Sequence, residues 1–161
     1  MNHEVIVSKL ALVLSGGGAR GAFQAGALVE LLGYFERTGK RINILSGTSV
    51  GALNGMSIAQ AADLPSARLE IEHQWKQLTN DDIYKVRGWG ILRLLLKFAT
   101  HRIERWPYLS GVDSIFDNTP LYNKYVENYL DLEAIRSRRT VDDFFVSLTS
   151  LHTGAAYLQC L

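Results

Sequence analysis

Two apolar runs, each ending in glycines and each followed by a helical pattern, organise the first part of the chain. Leu10-Ala11-Leu12-Val13-Leu14 contains no polar residue, the pattern of a strand buried in a parallel sheet, and Ile42-Asn43-Ile44-Leu45 is a second, β-branched run. Between them Phe23, Ala27, Leu28, Leu31, Leu32 and Phe35 recur at helical spacing, and Gly39 stands where a left-handed residue closes a helix. A strand, a crossover helix and a second strand predict two parallel neighbours. Later, Ala52-Leu53-Asn54-Gly55-Met56 continues as a small-residue helix, and Pro65 opens another through Leu69, Glu72, Trp75 and Lys76. Thr119-Pro120 reads as an N-cap and first-position proline for a helix through Tyr122, Tyr125, Val126 and Tyr129. Two late runs flank the hairpin turn Leu151-His152-Thr153-Gly154-Ala155.

The junction after the second strand carries the most chemistry. Gly47-Thr48-Ser49-Val50-Gly51 places a serine on a sharp strand-to-helix turn, the context in which G-x-S-x-G acts as a nucleophile elbow. Side chains two residues before and after the serine would collide where the helix folds back, and Gly47 and Gly51 remove those collisions. The helix N-terminus beside Ser49 favours an oxyanion. A serine at such a turn can also serve only as an N-cap.

The junction after the first strand is Ser15-Gly16-Gly17-Gly18-Ala19-Arg20-Gly21, whose glycines leave backbone N–H groups uncovered beside a helix N-terminus. Such a nest holds either phosphates or the oxyanion of an acyl intermediate. Gly16-x-Gly18-x-x-Gly21 also matches the dinucleotide fingerprint. That reading lacks its ribose-binding acid, because the second strand ends in Leu45-Ser46-Gly47-Thr48-Ser49. The loop also lacks the Gly-Lys-Ser/Thr ending of a P-loop. A dinucleotide- or phosphate-binding module therefore stands as the alternative to acyl transfer.

Together the two junctions resemble the patatin-like phospholipase family, closely from about Leu10 to about Gln60 and more loosely from Leu121 to Leu161. The resemblance implies an α/β three-layer domain, a largely parallel central sheet flanked by helices, and a Ser–Asp dyad that hydrolyses lipid acyl esters. It puts Ser49 in the nucleophile position and the backbones of Gly16, Gly17 and Gly18 in the oxyanion positions, with Ala19, Arg20, Gly21, Gly47 and Gly51 completing the motifs. Arg20 matches the family's loop arginine, as a brace for the loop or a contact for a lipid phosphate. The other reading is a surface arginine tied to a nearby carboxylate.

The family's base is an aspartate in an Asp-Gly-Gly or Asp-Gly-Ala motif, and no aspartate of this chain precedes a glycine. Asp142 and Asp143 come nearest to the expected region, in Thr140-Val141-Asp142-Asp143-Phe144-Phe145-Val146, where they read as the solvated start of a strand. Neither is assigned as the base. Of the histidines, His3 lies near the N-terminus, His73 and His101 lie in helical patterns, and His152 in its turn is the one candidate substitute. The expectation is a C-terminally incomplete domain, inactive or nearly so by itself. A non-catalytic lipid-binding relic is carried beside that reading.

Composition narrows the classes further. The 161 residues, 47% of them hydrophobic, suffice for a core and predict one domain over 1–161, with a helical cap-like region at about 65–140. A net charge of +1 argues against a nucleic-acid partner. With Cys160 as the single cysteine no internal disulfide forms. The early apolar run is too short for a signal-peptide core, and Arg93 and Lys97 interrupt the most apolar stretch, so no transmembrane segment is read. A cytoplasmic or peripheral membrane location is expected, with no metal and no cofactor. Lys85 to Arg105 combines Trp89, Ile91, Leu92, Leu94, Leu95, Leu96 and Phe98, and Trp106 nearby, with Lys85, Arg87, Arg93, Lys97, Arg102 and Arg105, opposed only by Glu104. It reads as a basic amphipathic segment able to lie on a bilayer, or as a cap helix packed on the core.

Overall fold

The computed structural model describes residues 9–83, 85–86, 116–150 and 152–161. The chain divides into two compact units, one built from the residues up to Gln77 together with Leu130–Leu161, the other from Leu78–Tyr129. In chain order the elements are β1 (Ala11–Leu14), a 3₁₀ turn (Gly18–Arg20), α1 (Gly21–Thr38), β2 (Ile42–Gly47), α2 (Val50–Ala59), α3 (Leu64–Gln77) and α4 (Asn80–Ile83). They continue with β3 (Lys85–Val86), β4 (Phe116–Asp117), α5 (Thr119–Tyr122), a π-helical turn (Asn123–Glu127), α6 (Leu132–Arg136), β5 (Val141–Thr149) and β6 (Ala156–Cys160).

In the first unit four strands form one sheet in the order β1-β2-β5-β6. The first three are parallel, with Leu14 opposite Gly47 and Gly47 opposite Val146. The loops that follow β1 and β2 are thereby gathered at one edge of the sheet. β6 returns antiparallel along β5, with Phe145 opposite Cys160 and Thr149 opposite Ala156. This is the expected α/β architecture, a largely parallel sheet flanked by helices.

The core lies between the sheet and the helices. Leu45 and Phe144, paired across β2 and β5, are buried, and Gly55 of α2 admits the Phe144 ring so closely that a Cβ there would stand 2.8 Å from it. Leu32, Ile58 and Ile71 complete the contact on α1, α2 and α3, and burial of each such side chain is worth about 1.5–3 kcal/mol. The buried Thr140 hydroxyl donates to the Ile58 carbonyl at 2.6 Å, fixing the start of β5 to the end of α2. Gly39, with φ 65°, closes α1 as its sequence position predicts.

Four details depart from the pattern. Phe23, counted in the apolar stripe of α1, is 84% exposed, because it lies on the first turn, beside the glycine loop rather than over the core. The N-cap position of the helix at Thr119 is Asn118, without a side-chain capping bond, so the boundary falls one residue earlier. After Tyr122 that helix widens into the π-helical turn, in which Tyr125 is buried and meets Tyr129 edge to face at 6.0 Å. Lys85 and Val86 pair with Phe116 and Asp117 as antiparallel strands rather than opening a helix. The rest of the basic segment to Arg105 lies outside the described residues.

Candidate active site

Ser49 joins β2 to α2 with φ 53° and ψ −125°. Among the described residues only Arg138 is another non-glycine with positive φ. A side chain held in such a conformation costs about 1–3 kcal/mol and persists only where its surroundings over-determine it. Here they do. The Thr48 N–H donates to Leu14 O at 3.1 Å, the Gly51 N–H to Thr48 O at 2.9 Å, and the Ala52 N–H to Ser49 O at 2.8 Å. On the other flank the Thr48 hydroxyl donates to Ser147 Oγ of β5 at 2.9 Å.

The glycines around the serine are required by close approach. A Cβ on Gly47 would lie 2.6 Å from Ala52 Cα, which is the collision of helix with strand expected from the spacing. A Cβ on Gly51 would instead meet the ends of the neighbouring strand, the carbonyls of Leu14 and Ser15. Ser49 is exposed, and its side chain makes no capping bond to α2. The N-cap role that its position allowed is therefore unused.

The glycine loop comes directly against this turn. A Cβ on Gly16 would lie 3.2 Å from Ser49 Cβ and 3.4 Å from Thr48 O. Gly17 has φ 169° and ψ 10°, and Gly18, at φ 54°, starts the 3₁₀ turn that the Arg20 N–H to Gly17 O bond closes at 3.1 Å. Ala19 and Arg20 are exposed, whereas Gly21 is buried beneath Val50 and the Trp75 ring and serves helix packing. Among the described residues no ion pair joins Arg20 to a carboxylate. Arg20 lines, with Ser15, Gly17, Phe23, Gln24 and Val50, a concavity of about 370 Å³.

Asp142 and Asp143 lie away from this turn. Asp143 stands opposite Ile44, three residues short of the Gly47–Val146 pair, which is roughly 10 Å along the strand, and Asp142 is one residue further back. Asp142 accepts from Asn43 Nδ2 at 2.8 Å and from Arg41 Nε at 2.9 Å, and these bonds hold its carboxyl below the ordinary value. Asp143 is paired with Arg138 at 3.3 Å. Asp63 accepts from the Ser66 N–H, Asp131 from the Ala134 N–H and Asp82 from Thr79, each at an element end. His152 is exposed in the β5–β6 turn and His73 is exposed on α3, while His3, His101 and Asp113 lie outside the described residues. Among the described residues no group of His, Cys, Asp and Glu is placed to hold a metal ion.

A buried polar cluster behind the loop escaped the sequence reading. Asn54, Gln24 and Trp75 are hydrogen-bonded to one another across three helices. The signal was an asparagine in an otherwise apolar, small-residue helix, a position that demands partners.

A largely parallel sheet whose strained serine turn and glycine loop meet at one strand edge defines an α/β protein with its functional loops on that edge. The patatin-like phospholipase family model matches residues 12–153, and the chain belongs to that family. It is similar to the lysophospholipase nte1 of Aspergillus terreus, with 49% identity over 53 residues, covering 33% of this chain and 3% of that protein. It is also similar to patatin-like phospholipase domain-containing protein 7 of Mus musculus, with 38% identity over 68 residues, covering 42% of this chain and 5% of that protein. The chain thus matches only a small part of each relative's length. No solved structure gives a significant match. Among the described residues no helix is long and apolar enough to cross a membrane.

Proposed function

We propose that these residues carry the nucleophile and the oxyanion loop of a serine lipid acyl hydrolase. The observation that carries the reading is Ser49 itself. It is a non-glycine residue at φ 53°, exposed, without a capping bond, with the backbone of Gly16 packed against it. In this reading Ser49 Oγ attacks the carbonyl carbon of a fatty-acyl ester and its proton passes to a base. The amides of Gly16, Gly17 and Gly18 hold the oxyanion, the alcohol leaves, and water releases the acyl group from the serine. The substrate class is lipid or other acyl ester, in keeping with the family and with the lysophospholipase among the relatives.

Labelling with an alkyl fluorophosphonate, with imidazole supplied as an external base, tests the nucleophile. Peptide mapping should find the adduct on Ser49, and Ser49→Ala should lose it with an unchanged unfolding midpoint. An adduct on another serine, or equal labelling of the Ala variant, rejects the assignment.

The same loop could instead cradle phosphates, and calorimetry separates the two. NAD, NADP, FAD and ATP should give no saturable binding, because β2 ends at Gly47 without a ribose-binding acid. Micromolar binding of any of them would make the glycine loop a nucleotide site.

A further inference from the structure

Behind the glycine loop a directed chain of hydrogen bonds crosses three helices. Trp75 Nε1 on α3 donates to Asn54 Oδ1 on α2 at 2.8 Å. Asn54 Nδ2 donates to Gln24 Oε1 on α1 at 2.9 Å and to Gly21 O at 3.3 Å. Gln24 Nε2 donates in turn to the Ser15 carbonyl at 3.2 Å. Asn54 is 3% exposed, and Gln24 and Trp75 are half-buried.

The direction of this chain is dictated from its far end. An indole N–H donates and never accepts, so Trp75 requires the oxygen of Asn54 to face it. The Asn54 nitrogen is then turned to Gln24, which must present its own oxygen and aim its nitrogen at Ser15. One donor-only atom orders both amides.

The chain ends on the Ser15–Gly16 peptide, which is trans, so its C=O and its N–H point in opposite directions. The Ser15 oxygen lies on the helix side, accepting from Gln24 and close to Gly51, where a Cβ would approach it to 2.7 Å. The Gly16 N–H is accordingly turned away from the helices. Gly16 is the loop residue whose backbone stands against Ser49.

We infer that Trp75, Asn54 and Gln24 are positioning residues that hold the Gly16 N–H as an oxyanion donor for Ser49. The inference rests on Ser49 being the nucleophile. Three adjacent glycines carry no side chains that could lock their peptide planes, so the orientation must be imposed from outside. A rotated Ser15–Gly16 peptide would present a carbonyl oxygen in place of the donor, turning attraction for the oxyanion into repulsion.

Two variants break the relay with little change of shape. Trp75→Phe removes the N–H and keeps an aromatic ring against Gly21, and Gln24→Glu replaces the last donor with an oxygen facing the Ser15 carbonyl. Fluorophosphonate labelling of Ser49 with imidazole held at a fixed concentration as external base, followed against inhibitor concentration, should show the limiting rate falling at least about tenfold in both, with half-saturation unchanged. A second readout is independent of Ser49 chemistry: in ¹⁵N-labelled protein the Gly16 amide resonance should move in both variants, while the amides of the β5–β6 hairpin stay in place. An unmoved Gly16 amide in folded variants overturns the relay, whatever Ser49 does. A moved Gly16 amide with undiminished labelling overturns its role in the oxyanion site. Absence of labelling at Ser49 in the unsubstituted protein with imidazole present overturns the nucleophile reading underneath, and with it that role.

Discussion

A protein of these 161 residues is expected to hydrolyse fatty-acyl esters about 10⁴-fold or more slowly than a serine site with its base in place. A serine hydroxyl is a weak nucleophile until a neighbouring group takes its proton. The carboxylates that the sequence brings nearest to the family's base position are committed elsewhere, Asp142 to Arg41 and Asn43, Asp143 to Arg138. The pull on Asp142 also has the wrong sign for a base. Its carboxyl is held below the ordinary value, which weakens its affinity for a proton. An external base should raise the rate of a serine that none of these carboxylates serves, so that imidazole raises the hydrolysis rate in proportion to its concentration in the unsubstituted protein and not in Ser49→Ala. Robust turnover without added base would show that one of these residues fills the role, and His152→Ala would then be the first variant to assay.

How much of this was legible in the sequence depends on the range of the physics. The elbow and the loop were readable because each rests on local constraints: a glycine at a set distance from a serine, a run of glycines at a strand end, a left-handed closure at Gly39. Parallel pairing of β1 and β2 followed from one crossover helix, whose hand and direction leave little choice. What failed was information that exists only after folding. Phe23 has the same helical phase as residues that are buried, and its exposure reflects where α1 begins relative to the loop. Nothing in G-x-S-x-G says that the second glycine yields to the carbonyls of Leu14 and Ser15, at and just beyond the end of another strand. The Trp75–Asn54–Gln24 chain joins positions separated by 21 and 30 residues, beyond the reach of any periodicity. Short strands such as Lys85–Val86 defeat periodicity for the opposite reason, since two residues contain no period at all.

The elbow glycines should prove the least replaceable residues of the chain. Gly51→Ala directs a methyl group at the main-chain carbonyl of Leu14 at the end of β1 and at that of Ser15 just beyond it, and Gly47→Ala directs one at the backbone of Ala52, so neither collision can be relieved by turning a side chain. Each substitution should destabilise the protein by on the order of 3 kcal/mol, the upper range for overpacking. At about 2–4 °C per kcal/mol for a domain of this size, the thermal midpoint should fall by roughly 6–12 °C. Ser49 sits between the two positions, in a conformation that survives only while its neighbours hold it, so the labelling rate at Ser49 should fall even where the variant remains folded. Gly26→Ala is the matched control. That glycine is on the exposed side of α1 with nothing near its missing Cβ, and alanine there should raise stability by about 0.5–1 kcal/mol through helix propensity. If Gly51→Ala and Gly26→Ala shift the midpoint alike, close approach of β1 is not what demands glycine at the elbow. If Gly51→Ala unfolds early while retaining full labelling of the folded fraction, the strain at Ser49 is independent of the packing beneath it.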